Sequence, residues 1–449
     1  MEPRSLNSTA VLALGLFGAC LWPLAATGQD LSDSVTEISG AASVFTALTH
    51  TRIDQGTSTD TNTEPSLGLS GNVGGQLQSG ANSLVLQYRG TLETERDLGD
   101  GEQTDNSSVV GVSRFSHFDP GSRFDFNLGH TVSSVRNDTG FVVNPSEYDT
   151  ENTLNAGAGV RFFPGELSTL RLSGEAGKSF GSGQLNDRES FTAASEFSRR
   201  LSERSSGGVN VSRSWSNDDD IDITIDSAQL VYSNLLENGT FRFGTGVSQA
   251  DTEYPDGVLT ESEAVTGFFG RTWLAPDWQT SVEYNRRLSD SATDLSLELP
   301  ADIEYIPDTI RIRDLVVSDS ILVSHNTSRL CSACNLGLAA EAAILESENT
   351  GTTTHEYFAA IDLSYPLTSL QRLAFAYRWQ GDAGEDAGTV IEQIHRFNIS
   401  WIRQLAEETS FSVEFDQAYL RSRLARSDEE QFVLRLRLSK GFSLVGQPR

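Results

Sequence analysis

Between Ser122 and Val132 the side chains change character at every step. Phe124, Phe126, Leu128, His130 and Val132 share one parity, and Arg123, Asp125, Asn127, Gly129 and Thr131 the other. Successive side chains leave a β-strand on opposite faces, so a period of two held this long specifies an extended segment with an oily face and a wet one. The pattern returns along the whole chain: Leu84 to Leu92, Leu154 to Phe162, Phe241 to Val247, Leu373 to Trp379, Phe411 to Phe415 and Leu434 to Leu438 all alternate. About twenty such segments, one per roughly 21 residues, suit strands of roughly ten residues joined by turns. Residues 29–449 therefore read as one all-β domain without an internal boundary. What the oily face meets, a sandwich core or hydrocarbon, decides the fold.

The connections answer in favour of hydrocarbon. Long polar stretches (IDQGTSTDTNTE, ETERDLGDGEQTDN, RNDTGFVVNPSEYDT) alternate with short ones (GGQLQSGAN, FDPGSR, FPGELST), and the order persists to the C-terminus. Such alternation places every second turn at one end of the strands, as in outer-membrane barrels with short periplasmic turns and longer outer loops. Phe118, Phe162, Phe163, Trp273, Trp278 and Tyr365 flank the short turns, where an interfacial aromatic girdle is expected. The expected architecture is a transmembrane antiparallel β-barrel of about 20 strands, or about 18 if the weak first segment, Ala41–Ile53, is lost, with both termini periplasmic.

The wet faces carry isolated charges: Arg89, Arg123, Asp125, Arg161, Arg171, Glu175, Arg242, Glu283, Arg378, Arg396 and Arg435. In a barrel this wide they are expected to line a water-filled lumen. Lysine occurs only at Lys178 and Lys440, so lumenal cations are nearly all guanidinium, which pairs bidentately with carboxylates of the wall or of an acidic solute.

Residues 1–28 read as a secretory signal peptide, with Arg4 ahead of an apolar run and the small residues Ala26-Thr27-Gly28 behind it. Cys20 departs with it, which leaves Cys331 and Cys334 in RLCSACNLG; in an exported chain they are expected to close a small disulfide turn. A formal charge of -29 argues against nucleic acid as a partner. Sites for chemistry are weak. The six histidines match no metal-ligand spacing. His130 and Ser134 share a parity, but that spacing is common by chance. The acidic run Asp218–Asp226 lacks the Gly and terminal Glu of a calcium loop and reads as a solvated outer loop. No cofactor, metal or catalytic residue is expected, and an enzyme is not.

The stretch EPSLGLSGNVGGQLQSGANSLVLQYRGTL, residues 64–92, follows an Asp/Thr-rich linker. Its Pro-x-Leu-x-Leu-x-Gly start and apolar-Tyr second strand resemble the β-barrel porins associated with PEP-CTERM/exosortase and exopolysaccharide gene clusters. DTIRIRDLVVSDSILVSHNTSRL and YPLTSLQRLAFAYRW are similar in layout to that family's second half. The C-terminal FVLRLRLSKGF also resembles an outer-membrane insertion signal, although SLVGQPR follows it. The resemblance implies a pore of the Gram-negative outer membrane serving exopolysaccharide export or solute diffusion. Outer-membrane lipid, lipopolysaccharide, the polymer and periplasmic export components are the implied partners. The alternative is a structural or adhesive barrel with acidic loops and a plugged lumen, because the long connection near 289–309 is compatible with folding inward or outward.

Overall fold

In the computed structural model, residues 37–445 are described apart from 100, 102, 120, 137–140, 142–148, 182–186, 219–220, 290–308, 311–314, 331–332, 349–350, 385–389 and 424–426. They form one sheet. Its strands are β1 (Glu37–Asp54), β2 (Thr59–Ser79), β3 (Asn82–Arg96), β4 (Gln103–Phe118), β5 (Phe124–Arg136), β6 (Asp149–Gly165) and β7 (Ser168–Gly181). There follow β8 (Arg188–Arg200), β9 (Ser205–Asp218), β10 (Ile221–Leu236), β11 (Gly239–Glu253), β12 (Leu259–Ala275), β13 (Trp278–Ser289) and the two-residue β14 (Thr309–Ile310). β15 (Val316–Thr327), β16 (Asn335–Ser347), β17 (Thr353–Thr368), β18 (Gln371–Ala383), β19 (Val390–Ala406), β20 (Thr409–Ser422) and β21 (Ser427–Val445) complete it. Each long strand pairs antiparallel with its sequence neighbours, β13 pairs directly with β15, and β21 pairs back onto β1 to close a 20-strand cylinder.

Register carries the oily face around the circuit. Val44 lies opposite Leu438 and Leu69, and Leu69 opposite Leu92. These residues are exposed, as are Phe124, Phe126, Leu128, Phe243, Val247, Ile361 and Leu434. Exposed apolar side chains on one face of a closed sheet form a band suited to lipid, and closure leaves no unpaired edge within it. Twenty strands about 4.8 Å apart and tilted about 40° would give a circular barrel about 40 Å across between backbones.

The first segment is a full strand, Glu37–Asp54, so the count is twenty long strands. The long connections are shorter than expected. Thr59–Glu64 and Gln103–Asn106 lie inside β2 and β4, and Ile221–Asp226 inside β10. Polar residues that alternate poorly still satisfy their backbone groups by pairing, so the strands continue past the apolar band into water. The described residues of the acidic run are consequently paired strand, Asp218 opposite Ile221, with Arg213 paired to Asp226 and Asn217 donating to Asp222 at 2.8 Å.

Nine connections, among them 80–81, 166–167, 237–238, 276–277, 369–370 and 407–408, make one rim, together with Glu37 and Val445. At this short-turn rim Arg329 donates to Asp277, and that hydrogen bond holds the Asp277 carboxyl below its usual range. Cys334, in the turn beside Arg329, is disulfide-bonded; Cys331 lies outside the described residues, as does the proposed signal peptide.

Candidate pore and its inward-folded hairpins

Strand parity separates the inner wall from the lipid face, and the connection after β5 identifies which is which. Phe141 is buried with Ile394 of β19 and Leu420 of β20, and its amide donates to Glu392 Oε2 at 3.1 Å. Those strands lie far around the cylinder from β5, so the contact crosses enclosed space. Ile394 and Glu392 share parity with Arg396, whereas Phe397 and Ile399 have the opposite parity and are exposed on the lipid side.

Ten of the expected wall residues face inward on this criterion: Arg89, Asp125, Arg161, Arg171, Glu175, Arg242, Glu283, Arg378, Arg396 and Arg435. Arg123 does not sit on the wall. It is in the turn between β4 and β5, where its carbonyl accepts the Arg161 amide at 2.6 Å. Phe118 also departs from expectation, because it lies opposite the inward Asp125 and its ring covers the Arg161 guanidinium at 4.1 Å rather than joining a girdle. A cation over the ring offsets the loss of lipid contact.

The inward charges form separate groups. Asp125 accepts from Arg161 at 3.0 Å and from Arg171 at 2.7 Å, and Arg171 also lies 3.6 Å from Glu196. Arg242 reaches Glu283 at 3.6 Å across Gly270 of the intervening strand, where a Cβ would lie in ordinary contact with the Arg242 side chain. On β17 to β21, Arg378 is 3.3 Å from Asp362, Arg435 is 3.7 Å from both Glu414 and Asp416, and Arg437 is 3.2 Å from Glu414. The buried ring of Phe45 lies beneath Arg435 and Arg437 at 5.1 and 5.8 Å. Its place requires Gly68, since a Cβ there would overlap the ring.

Towards the rim opposite the short turns, the cylinder parts at two seams. β12 pairs with β13 only from Gly267 to Ala275, and β4 with β5 only from Gly111 to Phe118. Above the first seam the β13–β15 hairpin leaves the wall and folds inward. Leu288, Leu315 and Val317 pack on Ala250, with Ile223, Ile225 and Ala264 around them, and Ala250 is 0% exposed. The inner wall beneath is cut to fit: Ser248, Thr252, Ser262 and Thr266 are small and buried. At the second seam, Thr309–Ile310 pair in parallel with Val135–Arg136 of β5, so the chain leaving β13 at one seam reaches the other.

These contacts narrow the mouth. Phe141 follows Arg136 by five residues, a reach of at most about 18 Å, so β5 approaches β19 far more closely than in a circular 20-strand barrel about 40 Å across. The hairpin parity in the sequence gives no sign of this, because Leu288 alternates in step with the outward Val282 and Tyr284.

His130 and Ser134 are not brought together: four residues of strand separate them by about 13 Å. His130 instead faces the Tyr88 hydroxyl at 2.7 Å, which also donates to Ser113 at 3.1 Å, a polar cluster that parity alone did not indicate.

A closed barrel with an apolar outer band and a polar inner wall is an outer-membrane β-barrel. Comparison with described protein families and with curated proteins finds no match. Among solved structures, the chain is similar to the siderophore receptor PirA from Acinetobacter baumannii (10% identity, 90% of this chain and 80% of that one, TM-score 0.48). It is also similar to the FrpB iron transporter from Neisseria meningitidis, F3-3 variant (10% identity, 89% and 81%, TM-score 0.46). The third is OpdK from Pseudomonas aeruginosa with vanillate (12% identity, 90% and 98%, TM-score 0.37). At these scores the likeness carries no argument about what the present barrel passes.

Proposed function

We propose that the barrel is an outer-membrane pore for polar solutes, with exopolysaccharide export as its physiological setting and the short-turn rim in the periplasm. One observation carries the reading: the inner wall presents hydroxyls, amides and charged groups around the circuit, opposite an outer face that is predominantly apolar. Such a wall offers a passing solute replaceable hydrogen bonds without a deep apolar pocket. The setting is supported by the resemblance at residues 64–92, and periplasmic export components and lipopolysaccharide are its proposed partners. Catalysis forms no part of this proposal.

A second reading, a structural barrel closed from within, is favoured by the buried contacts of Phe141 and of Leu288 and Leu315. Purified protein in planar bilayers separates the two. Stepwise conductance supports the pore; silence both in the intact protein and after deletion of residues 290–308 supports the closed barrel.

A further inference from the structure

On β12 the lipid-facing parity runs Phe269, Arg271, Trp273, so a guanidinium interrupts an aromatic surface. Gly270 lies in the inward row between Arg242 and Glu283, which places Arg271 on the outside, opposite Phe241 of β11 and Val282 of β13. The rings of Phe241 and Phe269 meet edge-on beside it at 5.5 Å. A charge on a hydrocarbon-facing wall is costly unless its side chain reaches the polar boundary and finds partners there.

Arg271 reaches that boundary at the short-turn rim. Nη1 donates to the carbonyl oxygens of Thr240 at 3.2 Å and Thr272 at 3.0 Å, Nη2 donates to Asn238 Oδ1 at 2.7 Å, and the guanidinium carbon lies 4.9 Å from the centre of the Trp273 ring. These contacts fix the group without neutralising it. Among the described residues no carboxylate pairs with it: Glu237, beside Asn238 in the turn, forms no ion pair, and Asp277, in the turn after β12, is held by Arg329. Lys178, Arg213 and Arg286, which face outward nearer the opposite rim, each hold a carboxylate, from Glu189, Asp226 and Asp319 respectively. Arg271 therefore presents a whole positive charge to the lipid side, with its Nε–H unused by the described residues.

Depth defines the missing counter-charge. Lipid headgroups lie where the apolar band ends, and a phosphodiester carries two unesterified oxygens suited to a guanidinium, with the Trp273 ring closing one side. Free phosphate would match the charge alone, whereas a lipid also covers Phe241, Phe269 and Val282 with its acyl chains.

We propose that Arg271 and Trp273 form a seat for the phosphate of a glycerophospholipid in the leaflet at the short-turn rim, with Phe241, Phe269 and Val282 beneath its acyl chains. The proposal depends on which face of the wall meets lipid and not on the pore reading.

The test is lipid retention by the barrel purified in detergent, titrated with phosphatidylglycerol, diacylglycerol or inorganic phosphate and measured by native mass spectrometry. One phosphatidylglycerol is expected to stay bound at collision energies that strip further copies, while diacylglycerol and inorganic phosphate are not retained. Arg271→Gln is expected to weaken that binding about tenfold. Arg213→Gln, which touches a paired cation nearer the other rim, is expected to leave it unchanged. Equal retention of diacylglycerol or of inorganic phosphate, or equal weakening by Arg213→Gln, overturns the proposal. Should Arg271→Gln fail to refold, Arg271→Lys keeps a charge and removes the guanidinium. In the barrel reconstituted in phosphatidylglycerol, dipolar coupling between labelled arginine nitrogen and lipid phosphorus is expected in the unaltered protein and diminished in Arg271→Lys; identical coupling in both overturns the proposal. A barrel that retains the lipid and never conducts removes the pore reading and leaves this one standing, and a conducting barrel that retains no lipid does the reverse.

Discussion

At Asp125 two guanidinia converge on one carboxylate that is itself 9% exposed. Asp125→Asn takes the carboxylate from the buried Arg161 and leaves Arg171 with Glu196 alone, and breaking a buried pair from one side costs about 3–5 kcal/mol. Urea-induced unfolding in detergent should show a loss near that size, whereas Arg52→Gln, which removes an exposed pair with Asp54 at 3.7 Å, should move stability by less than about 1 kcal/mol. Equal effects would mean the convergence on Asp125 contributes nothing. Asp277 supplies a titration check at the rim. Its carboxyl is held low by Arg329, so whatever the pair contributes is present above the ordinary carboxylate range and is lost as pH falls through the lowered value. Arg329→Gln should move the Asp277 titration, followed by NMR of labelled aspartate, up towards that ordinary range; no movement would dissociate the two groups.

Period two made nearly every strand legible, since Phe124 to Leu128 and Leu434 to Leu438 need no tertiary information to declare a lipid face. It also placed ten wall charges on the inward side. It left the seams unseen, because alternation states which face a residue has and not where a strand quits its neighbour. Leu288 keeps the outward parity of Tyr284 yet ends buried on Ala250, and the small inward residues Ser248, Ser262 and Ala264 that receive the hairpin look like ordinary polar wall. The long connections were overestimated for a related reason: Thr59–Glu64 is as polar as a loop but pairs like a strand beyond the apolar band. A consequence is testable by hydrogen exchange. Among the described residues, 103–110 of β4 and 259–266 of β12 have a partner strand on one side only, so half of their amides should exchange faster than those of 111–118 and 267–275. Uniform protection along β12 would show the seam to be closed in solution.

Closure of the cylinder and closure of its mouth are separate properties of this molecule. The first follows from β1 pairing along its length with β21, and it settles only that an inside exists. The second depends on two modest apolar contacts, Phe141 on Ile394 and Leu420, and Leu288 and Leu315 on Ala250, neither of which the wall needs for its hydrogen bonds. Weakening them should therefore alter flow before it alters folding. Leu288→Ser with Leu315→Ser puts hydroxyls where the hairpin buries methyl groups, and adding Phe141→Ser frees the opposite contact. With both released, β5 is no longer tied within about 18 Å of β19, and the mouth should open towards the circular section of a 20-strand barrel. Single-channel conductance should rise, while the shift in gel migration between unheated and boiled samples stays as in the unaltered protein. A triple variant that keeps both its fold and the original conductance would mean that the infolded hairpins do not set the width of the path.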